Sequence, residues 1–333
     1  GLPAGRVAAC EPGYIEAQEA VTLFCLVVYA AALVFVGPAV LTRLTHGGQA
    51  PRAGVVLWLT AIASAVGTGM VITAFVALDV ITHWGQPGIL AASCLKWLCE
   101  LASGAAGLVP QFAVLAVVVV LLALAVGVGV RLARTIARLR GHAHEHGAAI
   151  RMVGRPLRGG DVYVVEAGER AAYCVSGRPS TIVVTSSAVA ALGARELGAV
   201  IAHERAHLVG HHLTIVTVLR GLAAVLPRVA LFAWAPGEVA RLLEMCADDA
   251  AAHRFGERAL LDGLMALVGA APASALGAAD IAVLHRAGRL ADPATRRARL
   301  SIRAALTGAS AVIAVGPAGV LAVGLSGAWA CIG

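Results

Sequence analysis

Charge is scarce in this chain. Only 14% of its 333 residues are charged, against about a quarter in an ordinary soluble domain. That shortage excludes a soluble domain of this length, and 59% hydrophobic residues with a mean hydropathy of +0.84 point to the bilayer instead. Lysine is nearly missing: of 26 basic residues only Lys96 is one, a compositional bias without mechanistic content. No basic stripe interleaved with aromatics occurs, so the net charge of +7 is not a nucleic-acid footprint and no direct nucleic-acid partner is expected. The flank of the first apolar run argues against reading that run as a signal peptide. Glu11, Glu16 and Glu19 flank the first apolar run, where a signal peptide would carry positive charge.

Long apolar runs are abundant. A helix needs about 20 residues to cross a bilayer core, and four stretches qualify: about 18–41, 54–81, 109–130 and 304–328. They divide the chain into an N-terminal membrane region (1–130, three spans), a more polar domain (131–303), and a fourth span with a short outer tail (304–333). Arginines cluster on alternate flanks. Arg43 and Arg52 follow the first span, Arg131, Arg134, Arg138 and Arg140 follow the third, and Arg296, Arg297, Arg299 and Arg303 precede the fourth. The positive-inside rule therefore predicts a multi-pass plasma-membrane protein with both termini outside and the polar domain in the cytoplasm. Cys10, Cys94, Cys99 and Cys331 all fall on the expected outer side, where disulfides form, in any of three pairings. Cys174 and Cys246 fall inside and read as buried thiols.

Within the polar domain, 161–168 (DVYVVEAG) and 180–187 (STIVVTSS) read as short β-branched strands. The stretch GARELGAVIAHERAHLVG then reads as a helix, and it carries an unusual load. Four histidines and a glutamate fall within the ten residues 203–212. His203 and His207 are four apart, so a helix presents both imidazoles on one face, the spacing of two zinc ligands. Glu204, beside the first, is placed to take a proton from water rather than to bind the metal. Chance would produce this pattern in roughly one of 80 chains of this composition. A third ligand is at hand in LLEMCADDAAAHRFG (242–256): Glu244 completes a two-His, one-Glu site. Asp248, one turn on, can accept the N–H of a ligand histidine. The apolar stretch 213–235 between the two helices cannot be a single crossing, which would put Glu244 on the wrong side of the membrane from His203. Broken by Arg220, Pro227 and Arg228, it reads as domain core or a membrane-docked helical hairpin.

Other polar residues have plainer readings. His211 and His212 suit a helix end or cleft rim, Asp249 a surface or helix-pairing role, and His142, His144 and His146 a solvated linker.

The segments AAYCVSGRPSTIVVTSS, ELGAVIAHERAHLVGHH and EMCADDAAA, and more loosely DPATRRARL, resemble the BlaR/MecR-type antirepressor membrane metallopeptidases. More distantly they resemble the HtpX and CAAX-prenyl membrane proteases. The resemblance implies four transmembrane helices and a cytoplasmic α+β HExxH zinc metallopeptidase domain, gluzincin-like. It implies one catalytic Zn2+ on His203, His207 and Glu244, with Glu204 as general base and Asp248 supporting a ligand. The antibiotic sensors of that family continue outside into a penicillin-binding domain, which does not appear before Gly333. The strand near 180–187 is expected to line the cleft and hold substrate by strand addition. The expected partners are a protein substrate and the lipid bilayer, with a homodimer left open. Regulated cleavage of a transcriptional repressor of the BlaI type is the expected function. HtpX-like membrane-protein quality control, or a receptor or scaffold with an idle zinc site, are the alternatives.

Overall fold

The computed structural model describes residues 12–82, 108–157, 160–175, 177, 179–268 and 278–325. The outer cysteines of the sequence reading, Cys10, Cys94, Cys99 and Cys331, lie outside these. The chain divides into two compact units: 1–37 with 59–127 and 309–333, and 38–58 with 128–308.

The first unit is helical. It contains α1 (Pro12–Phe35), most of α3 (Pro51–Thr82), the first part of α4 (Leu108–Val153) and the end of α11 (Arg296–Leu325). Pro317 lies inside α11 and has no N–H to offer the carbonyl of Ile313, one turn back. In an apolar environment such an orphan costs several kcal/mol unless something bonds it. Tyr29 Oη of α1 and Ser64 Oγ of α3 both donate to that carbonyl, at 2.8 and 3.1 Å. The three helices are thus joined at the point where the proline breaks the ladder.

Among the described residues, two helices are long and apolar enough to cross a membrane, Pro51–Leu78 and Arg296–Gly324. The number rises to four if each of two bent pairs counts as one span. One pair, α1 with α2 (Gly37–Thr45), bends by 50° at Val36 within the first expected span. The third expected span, 109–130, is the first half of α4. The protein is membrane-associated by this composition.

The second unit is built on a four-stranded sheet of order β1-β2-β4-β3. The strands are β1 (Arg155–Pro156), β2 (Val162–Val165), β3 (Ala172–Val175) and β4 (Thr181–Thr185). β4 is parallel to β2 and antiparallel to β3. All five of its residues are buried, and its alternating side chains serve two layers. Val183 packs with Ile150 of α4 and Val175, whereas Ile182 and Val184 pack with Leu197 and Ile201 of α6 (Ala194–Val209). A strand covered on both faces needs the continuous β-branched run found here.

Two expectations change. The strand at 180–187 cannot take an added substrate strand, because β2 and β3 already occupy both its edges. Among the described residues the sheet has two edge strands, β1 and β3, and β3 is the one that flanks β4. The histidine-rich 141–147 is not a linker but lies within α4, which runs unbroken to Val153. Its glycines weaken helix propensity, but tertiary packing decides. Gly147 and Ile150 are buried, and Arg151 Nη1 donates to Thr181 Oγ1 at 3.0 Å.

The remaining helices follow as α5 (Ser186–Ala191), α6, α7 (His212–Val225), α8 (Ala230–Phe255), α9 (Glu257–Val268) and α10 (Ala278–Ala291). The stretch 213–235 is resolved as a helical hairpin: α7 turns at 226–229 and α8 packs back on it. Glu244 therefore returns to His203.

Candidate metal centre

α6 starts where the Glu196 carboxylate accepts the backbone N–H of Gly193, and its periodicity buries Ala199, Val200, His203 and His207 along one side. α8 lies across it, and Gly198 lets the two approach closely, since a Cβ there would sit 2.6 Å from the Phe255 ring. The crossing brings Glu244 to the two histidines. His203 Nε2 is 3.1 Å from His207 Nε2 and 3.5 Å from Glu244 Oε2, and His207 Nε2 is 3.4 Å from Glu244 Oε1. Donors about 2.0–2.1 Å from a tetrahedral ion stand about 3.3–3.4 Å apart. The three atoms have the spacing of three corners of such a site, and they form the one cluster of this kind among the described residues. The donor set, two nitrogens and a carboxylate, fits the three protein ligands of a catalytic zinc.

Each histidine is backed by a second group. His203 Nδ1 lies 3.1 Å from Asp248 Oδ1, although its N–H does not point squarely at the oxygen. Asp248 is 0% exposed and is held chiefly by Arg286, whose Nη2 and Nε donate to its two oxygens at 2.6 and 2.8 Å. Arg286 Nη1 is also 3.0 Å from Glu244 Oε2. His207 Nδ1 lies 2.9 Å from His212 Nδ1. Gly210 makes that contact possible, because a Cβ there would collide with the His212 ring.

The electrostatics follow from this packing. Burial disfavours charge on Asp248, but the hydrogen bonds from Arg286 and the adjacent His203 imidazole prevail and hold its carboxyl at about 2. Burial likewise opposes charge on His203, yet Asp248 and Glu244 raise it to about 9: the pocket favours a cation at this point. Burial lowers His207 to about 4, leaving the neutral imidazole that metal ligation requires. Glu204 is pushed up to about 7 by burial and by the charge of Glu244, against the pull of His203 and a hydrogen bond with Cys174. The Cys174 thiol is itself raised to about 12 by burial and by Glu204. β3 therefore passes directly beside Glu204.

The structure thus brings together His203, Glu204, His207, Glu244 and Asp248. Asp249 stands off that face and pairs with Arg289 at 2.6 Å, a helix-pairing contact. His211 ends the turn between α6 and α7 with φ 51°. The sequence reading missed Arg286, the His212–His207 contact and the place of Cys174. Their only trace was the Arg286/Arg289 pair, three apart on α10 and matched to Asp248 and Asp249.

Residues 142–240 match the profile of a known family. That family is peptidase family M48. The match covers less than half of the chain, includes His203, Glu204 and His207, and ends just before Glu244. It supports a metallopeptidase activity, and M48 peptidases are zinc-dependent, in keeping with the donor cluster. Neither the comparison with curated proteins nor that with solved structures gave a match.

Proposed function

We propose that this chain is a membrane-anchored zinc endopeptidase that cuts protein substrates at the cytoplasmic face. The observation that carries the reading is the 3.1–3.5 Å triangle of His203, His207 and Glu244 donors, with Glu204 adjoining it. Bound zinc would supply a Lewis acid that polarises the scissile carbonyl and lowers the pKa of water to about 7. Glu204, poised near 7, takes a proton from the attacking water and returns it to the departing amine. Asp248 and His212 orient the two ligand histidines through their Nδ1 atoms. β3, beside Glu204, offers an open backbone edge to an extended peptide.

The arginine-rich flanks support the cytoplasmic placement. The likeness to antirepressor peptidases favours regulated cleavage of a repressor-like protein. Comparing proteolytic fragments in wild-type and Glu204→Gln cells tests this. Glu204→Gln keeps the shape and the zinc but removes the base, so turnover falls 10² to 10⁴-fold. A few regulator fragments that vanish in the variant support the reading. Widespread accumulation of membrane proteins points to quality control, and turnover within about threefold of wild type sinks the base assignment.

A further inference from the structure

A cavity lies on the sides of α6 and α8 turned away from the metal centre. It has a volume of about 450 Å³, within the range of small-ligand sites. On α6 it is lined by Ala202, Arg205, Ala206 and Val209, and on α8 by Leu243, Cys246, Ala250 and Arg254. At 100° per residue both faces are turned about 130° from those carrying His203, His207, Glu244 and Asp248. The cavity is therefore separate from the catalytic face. One residue belongs to both: His212 lines the cavity and touches His207.

The charge in this cavity is unbalanced. Arg205 is neutralised by Asp161, with three contacts of 2.7–3.0 Å. Arg52 and Arg254, both exposed, form no ion pair among the described residues; Arg254 only lies over the Phe255 ring, at 5.6 Å. Below these two guanidinium groups the walls are apolar: Val55, Leu243 and Cys246 are buried. A cationic rim over an apolar floor complements an anionic headgroup with an acyl chain. The position agrees. Arg52 and Val55 lie in the first turns of α3, a helix apolar and long enough to cross the membrane. Val209, 75% exposed, lies at the bend between α6 and α7, which together pass the same apolarity test and meet at 55°.

We propose that this cavity is a binding site for one anionic membrane phospholipid, with its phosphate between Arg52 and Arg254. A bound lipid would press on His212 and so reach the ligand His207 without entering the catalytic cleft.

The test uses the full chain in lipid nanodiscs of phosphatidylcholine with a small fraction of phosphatidylglycerol, extracted into mild detergent and weighed by native mass spectrometry. It reads retention rather than turnover, so its failure is distinct from failure of the peptidase reading. One retained phosphatidylglycerol is expected, reduced on the order of tenfold in Arg52→Gln/Arg254→Gln. Arg52→Lys/Arg254→Lys keeps the charge and retains the lipid, which separates lost binding from lost folding. Arg258→Gln, an exposed pair member on α9 away from the cavity, leaves retention unchanged. Equal retention in the double Gln variant, equal retention of phosphatidylcholine, or displacement by inorganic phosphate at matching concentration would overturn the proposal.

Discussion

At the scale of single residues, the metal site is ordered by how directly each acid meets the donors. Glu244 touches both imidazoles, Asp248 only His203, and Asp249 neither. Glu244→Ala should therefore lower zinc content most. Asp248→Ala should weaken zinc by about 10- to 100-fold, as loss of a ligand's supporting carboxylate does, and should lower the melting temperature as well, because it removes the bidentate partner of the buried Arg286 and leaves it only Glu244. Asp249→Ala removes one exposed ion pair and should change stability by about 1 kcal/mol or less. Elemental analysis and thermal unfolding of the three purified variants decide this. Full zinc in Glu244→Ala would mean the third ligand is elsewhere.

At the scale of elements, one backbone group has a side-chain answer that can be removed, and one strand has outward backbone donors that can be removed. The Ile313 carbonyl, orphaned by Pro317, is bonded by Tyr29 and Ser64. Either hydroxyl alone can still serve it, so Tyr29→Phe or Ser64→Ala should cost little. The double variant should lose about 0.6–2 kcal/mol, seen as a lower unfolding midpoint in detergent. Additive single losses would show that the carbonyl is not shared. The second case is β3. Ala171 and Thr185 exchange a ladder bond, Thr185 N to Ala171 O at 3.0 Å. By antiparallel alternation the N–H groups of Ala172 and Cys174 then face away from β4. Ala172→Pro removes one outward donor without touching the ladder. It should raise KM for a long peptide roughly tenfold with kcat little changed, as expected when ground-state and transition-state binding are lost together. An unchanged KM would remove β3 as the substrate edge.

At the scale of the whole molecule, topology and redox compartment can be read together. Cys10, Cys94, Cys99 and Cys331 should resist alkylation until a reductant is added, while Cys174 and Cys246 should react after denaturation alone. Burial, which pushes both inner thiols to about 12, explains why they need denaturation. Rapid labelling of Cys94 and Cys99 in intact cells would remove the disulfides, and labelling of Cys174 from outside would reverse the proposed orientation.

The sequence by itself determined whatever depends on spacing within one element. The i, i+4 period put His203 with His207 and Glu244 with Asp248 on single helix faces, and the β-branched runs marked β2 and β4, because side-chain direction repeats locally. The charge shortage and apolar runs marked long apolar helices that fit a membrane protein, because lipid leaves backbone groups no partner outside the helix. Tertiary structure decided what depends on which elements meet. Arg286 reaches Asp248 from 38 residues away, and nothing in its own neighbourhood announces that. β3 became an edge strand because β4 paired on both sides, and that also set Cys174 beside Glu204. α4 kept its helix through a glycine- and histidine-rich stretch because Ile150 had a sheet to cover. His212 became a partner of His207 through a turn in which His211 adopts φ 51° and Gly210 leaves room for the ring. Such pairings are chosen by packing between distant segments, which no local period encodes.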